Sequence, residues 1–83
     1  MERYITHGTC SRAIDFDVED GKIKSVRFIG GCAGNTLGLA ALLEGMDVDE
    51  AIDRLYGIRC GFKPTSCPDQ LARALMEYKE KQA

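Results

Sequence analysis

Early in the chain, apolar and polar residues alternate. In the stretch AIDFDVEDGKIKSVRFI, Ile14, Phe16 and Val18 are separated by Asp15 and Asp17 and followed by Glu19. This two-residue period is that of a half-buried strand. Arg3 to His7 is β-prone, and Gly8-Thr9 offers a turn. Asp20-Gly21 is a hairpin signal. A strict two-residue loop would pair Val18 with Ile23 and Phe16 with Ser25, leaving Val26 and Phe28 on the wrong face. A register shifted by one sets Phe16 beside Val26 and Ile14 beside Phe28. A bulge or a longer loop is therefore expected within residues 19–23. Three antiparallel strands are predicted, over about residues 2–7, 12–18 and 23–29.

Beyond Phe28 the period lengthens to that of helices. Gly30-Gly31-Cys32-Ala33-Gly34-Asn35 breaks the strand, TLGLAALLE follows, and Gly45 closes the segment at the C′ position. Asp47-Val48-Asp49-Glu50 has the form of a capping box. After it Val48, Ala51, Ile52 and Leu55 recur at helical spacing, and Gly57 ends the run. A third helix opens at Ser66-Cys67-Pro68-Asp69, where Pro68 suits the first turn, and Leu71, Ala74, Leu75 and Tyr78 form its apolar face. Cys67 is expected at the cap, and Asp69 is expected to favour the helix dipole. The helices are predicted over about residues 34–44, 48–56 and 68–80. The fold class is α+β, a small antiparallel sheet covered by three helices.

The chain has 83 residues and reads as a single domain over residues 1–83. A core of this size leaves a thin margin over chain entropy, so small domains often recruit a metal or disulfides. The formal net charge is −2, with no clustered lysines or arginines, which excludes a nucleic-acid groove binder. The longest apolar run, Leu37 to Leu43, is too short to span a bilayer. MERYITHG lacks the apolar centre of a signal peptide, so a cytoplasmic location is expected.

Four cysteines in a reducing compartment point to metal or redox chemistry before a covalent framework. Cys10 falls in the turn between the first two strands, and Cys32 just before the first helix. Cys60 follows the second helix, and Cys67 opens the third. Helix N-termini carry a positive partial charge that favours a thiolate. All four lie at element ends, where backbone can wrap around an ion, and they are expected to converge at one edge of the sheet. Four thiolates suit a tetrahedral zinc site, which is preferred, or an iron–sulfur cluster. Their spacing matches no local zinc motif. A redox pair of Cys60 and Cys67 is the alternative, and four unrelated small hydrophobes in loops is the bland reading.

Other motifs carry less. His7 forms H-G-T-C with Cys10, but a lone histidine near a strand end is usually surface. The glycine-rich residues 30–34 lack both the lysine ending of a P-loop and the spacing of a dinucleotide fingerprint. Asn35 reads as a cap for the first helix. Asp47, Asp49, Glu50 and Asp53 read as a helix start with a solvated face. No Ser/His/Asp set and no convincing carboxylate pair supports a hydrolase.

TSCPDQLARAL, FIGGCAGNTLGLAALLEG and GIRCGFKPTSC together resemble the small four-cysteine proteins of the TSCPD-domain family, across nearly the whole chain. Related domains lie near the C-terminus of ribonucleotide reductases, notably adenosylcobalamin-dependent ones. The resemblance implies a link to ribonucleoside-diphosphate reduction and deoxyribonucleotide synthesis, with a protein partner in that reaction. The chain has no room for the reductase's catalytic barrel, so an accessory or thiol-relay module is implied rather than an autonomous reductase. TCSRAIDFDVEDGKIKSVRFIGGCAGNTLGLAALLEGMDVDEA also resembles the U-type iron–sulfur cluster scaffold proteins, which implies their fold, offers an iron–sulfur cluster scaffold or carrier as the alternative function, and places Cys10, Cys32 and Cys67 at three ligand positions. Where those scaffolds carry an aspartate two residues after the first cysteine, this chain has Arg12. Ser66 stands where they have a histidine. With Cys60 added, these departures favour a closed four-sulfur site, and closed sites are usually structural.

Overall fold

A computed structural model describes residues 2–8, 11–30, 33–59 and 65–82. They form β1 (Glu2–Ile5), β2 (Ser11–Glu19), β3 (Lys22–Gly30), α1 (Ala33–Leu43), α2 (Val48–Leu55) and α3 (Cys67–Gln82). The strands make one antiparallel sheet in the order β1-β2-β3. The α+β architecture expected from the alternating and helical periods is the one observed.

The hairpin solves its register problem in two steps. Asp20 and Gly21 have φ of 54° and 74°, the left-handed angles of a two-residue turn whose twist matches the flanking strands. Glu19 then pairs with Lys22 and Val18 with Ile23, as a strict loop requires. A bulge follows at once, between Asp17 and Val18 in the ladder, so that Asp17 meets Ser25 and Lys24 is the extra residue. From there Phe16 faces Val26 and Ile14 faces Phe28, the register that the apolar pattern demands. The tight loop and the bulge coexist, and the bulge sits one residue beyond the predicted interval.

The core gathers Ile14 and Phe16 from β2, Ile23 from β3, Leu43 from α1, Val48, Ala51 and Leu55 from α2, and Leu71, Ala72, Ala74 and Leu75 from α3. Tyr78 meets Phe16 edge-to-face, with ring centroids 6.0 Å apart. Segment 45–48 lies along the start of β3, where Ile23 N–H donates to the Met46 carbonyl and Gly45 N–H to the Ile23 carbonyl. This covers part of an otherwise open strand edge. On the uncovered sheet face Arg3 clamps Asp15 through two hydrogen bonds, 2.6 and 2.9 Å long. That guanidinium holds the Asp15 carboxyl below its ordinary value.

Helix ends depart from the sequence reading in three places. Asp47 occupies the N-cap of α2 but makes no side-chain cap hydrogen bond, and Glu50 pairs with Arg54 at 3.0 Å instead of reaching back. Asn35 lies inside the first turn of α1 rather than at its cap. Cys67 is the first residue of α3, and the capping is done by Ser66, whose Oγ accepts the Asp69 N–H at 3.2 Å. The carbonyl of Ser66 accepts the Gln70 N–H at 2.8 Å, closing the first turn.

Candidate functional site

The antiparallel order sends the end of β1, the start of β2 and the end of β3 to the same end of the sheet. Ile5 pairs with Ala13, and Ser11 with Gly30. Past β1, Thr6 N–H donates to the Arg12 carbonyl at 3.2 Å, and Gly8 turns with φ of 75°. The start of α3 is seated against this end. His7 N–H donates to Gln70 Oε1 at 3.0 Å, and a Cβ added at Gly8 would stand 3.0 Å from Thr65 Cγ2. Ser66 Oγ donates to the Ile58 carbonyl at 2.6 Å, fastening the chain beyond α2 to the same place.

Asp69 holds this corner together. It is 1 % exposed, and both carboxylate oxygens are engaged. Oδ1 accepts the Gly57 N–H at 2.7 Å. Oδ2 accepts the Thr65 hydroxyl and the Arg73 Nε–H, the latter at 2.9 Å. Thr65 Oγ1 in turn accepts from Gln70 Nε2 at 3.0 Å. Arg73 lies over the Tyr56 ring, 5.1 Å from its centroid, which fixes the direction of its fork. Burial by itself raises the pKa of Asp69. The hydrogen bonds from Thr65, Gly57 and Arg73, with the Arg73 charge, outweigh burial and hold the carboxyl below its ordinary value.

Of the four predicted ligands, Cys67 stands half-buried at the first residue of α3. Cys10, Cys32 and Cys60 lie outside the described residues. Their described neighbours in sequence are Gly8 and Ser11, Gly30 and Ala33, and Arg59. Among the described residues no group of three or more His, Cys, Asp or Glu side chains could hold a metal. His7 is exposed, as expected of a strand-end histidine, and Asp47, Asp49, Glu50 and Asp53 are exposed on α2 or beside it. No helix among the described residues is long and apolar enough to cross a membrane.

The TSCPD domain model matches residues 2–79, from the first strand almost to the end of the last helix. The chain belongs to the TSCPD domain family. No curated protein and no solved structure matches it. The pentapeptide behind the family name, Thr65 to Asp69, forms the polar joint of this TSCPD domain. Thr65 links Asp69 to Gln70, Ser66 caps α3 and binds Ile58, and Asp69 collects three donors. Sequence reasoning missed Asp69 as a buried anchor. Ser66 and Asp69 have the spacing of a capping box, and Asp69 and Arg73 that of a helical ion pair. Those local signals were available, whereas the partnership with Gly57 was not.

Proposed function

We propose that this TSCPD domain binds one metal ion, zinc in preference to an iron–sulfur cluster, through Cys10, Cys32, Cys60 and Cys67. In this role it serves as a cytoplasmic accessory or thiol-relay module, partnering a protein of ribonucleoside-diphosphate reduction. The observation that supports the metal reading is the meeting of the described residues that flank the four cysteines. Ser11 pairs with Gly30, Gly8 abuts Thr65, and Ser66 binds Ile58. Each cysteine is one or two residues from one of these, at about 3.8 Å of chain per residue. The donor chemistry agrees. Asp69, the buried carboxylate nearest Cys67 in sequence, has both oxygens taken, so the ligand set is left to sulfur. A tetrahedral four-thiolate set is the closed arrangement of structural zinc. The link to ribonucleotide reduction rests on the resemblance to reductase C-terminal domains.

Elemental analysis of protein purified without air tests the metal reading. Colourless protein with about one zinc per chain is expected, with loss of zinc in each Cys→Ser variant. Brown protein containing iron and sulfide would favour the cluster, and metal-free folded protein with reactive Cys60 and Cys67 would favour the dithiol.

A further inference from the structure

We propose that Asp69 is a positioning residue for the metal site, locking the backbone around Cys67 into ligating geometry before the ion arrives. The proposal rests on the metal-binding reading above. Cys67 stands in a segment whose every neighbour is tied down. Thr65, two residues before it, is held by Asp69 and Gln70. Ser66, one residue before, is held by the Ile58 carbonyl and the Asp69 N–H. Pro68, one residue after, has its φ fixed by the ring. Asp69, two residues after, reaches across to Gly57 at the close of α2 and is backed by Arg73. Through Thr65 and Gln70 the same network extends to the His7 N–H, next to the β1–β2 turn.

None of these bonds needs a metal to form. With both oxygens occupied, Asp69 is not itself a ligand. It spans the two ends of the stretch between α2 and α3, the stretch that carries Cys60 and leads into Cys67. Groups that orient a ligand from outside the coordination sphere remove ordering entropy from the binding step. Asp69, buried and holding three donors, is such a group.

The test is anaerobic zinc titration against a competing chelator, with cobalt(II) absorption as a second readout of the ligand geometry. Wild type is compared with Asp69→Asn, Thr65→Val and Ile23→Ala. Ile23 lies in the core beside the hairpin turn, at the far end of the sheet, so its truncation lowers stability without touching the joint. Asp69→Asn is expected to keep the metal stoichiometry, to weaken zinc by about 10–100-fold and to shift the thiolate-to-cobalt bands. Thr65→Val should shift both in the same direction by a smaller amount. Ile23→Ala should leave the cobalt spectrum unchanged. The positioning role is overturned if wild type binds zinc and Asp69→Asn either matches it or loses no more affinity than Ile23→Ala, with an unaltered cobalt spectrum. If Asp69→Asn does not fold, Thr65→Val decides by the same criteria. Wild type that binds neither zinc nor cobalt overturns the metal reading, and the positioning role falls with it.

Discussion

Substituting Asp69 by alanine would leave the Gly57 N–H, the Thr65 hydroxyl and the Arg73 guanidinium without the acceptor they share. Arg73 is half exposed and can turn to water, but the buried Thr65 hydroxyl and the part-buried Gly57 N–H would be stranded, which costs more than a weakened helix start. A loss of about 1–3 kcal/mol is expected for Asp69→Ala in reduced, metal-free protein, measured by urea unfolding. A loss below about 1 kcal/mol would reduce Asp69 to the dipole role read from its place in the first turn. The acid dependence follows from its depressed folded pKa. The stabilisation is fully present above the unfolded carboxyl value near ~3.9 and is lost as pH falls through the lower folded value. Wild type should therefore lose stability faster than Asp69→Asn below about pH 4, and the gap between them should stay constant above about pH 5. Parallel curves over the whole acid range would show that Asp69 titrates no differently in the folded and unfolded chain.

At the scale of elements, the turns and caps decide how the strands and helices meet. Gly8 and Gly21 have nearly the same backbone angle, φ of 75° and 74°, but different surroundings. A Cβ at Gly21 would meet nothing within 4 Å, so Gly21→Ala carries only the left-handed penalty of about 1–2 kcal/mol. At Gly8 the same Cβ presses on Thr65 Cγ2 at 3.0 Å, and Thr65 is pinned by Asp69 and Gln70. Gly8→Ala should thus destabilise more than Gly21→Ala in the same unfolding assay. Equal losses would mean that the β1 end and the start of α3 can part freely. The first helix behaves differently from the others. It has no acidic residue in its first turn and no basic residue in its last, and Leu37 and Leu42 are 70 % and 77 % exposed. Its apolar residues run around the helix instead of forming one stripe, so only part of them reaches the core.

For the whole molecule, a small apolar core carries the fold at one end and the Asp69 network joins the elements at the other. The core lies between the sheet and the helices, and it is completed near the β2–β3 hairpin by Ile23, Val48 and Tyr78. If four thiolates hold zinc, binding energy adds directly to folding energy. Thermal unfolding with and without a strong chelator, under reducing conditions, should show a clear fall in midpoint on metal removal. An unchanged midpoint after verified metal loss would show that the core alone sustains the fold.

The strand alternation, the helical spacing, the glycine stops and the Asp20-Gly21 turn were all legible from the chain alone, because each is a local rule of backbone and pattern. The pairing of Phe16 with Val26 was legible too, since one face of the sheet must be apolar. The family was legible in Thr65 to Asp69 and the four cysteines. What only the tertiary structure decided is how that pentapeptide is used. Capping passed from Cys67 to Ser66, the expected capping hydrogen bond of Asp47 did not form, and Asp69 became a buried anchor. The reason is physical. Asp69 gains its role from the Gly57 N–H, Ser66 from the Ile58 carbonyl and Gln70 from the His7 N–H. Backbone groups carry no residue identity, so a hydrogen bond to one of them across the fold leaves no mark in the sequence.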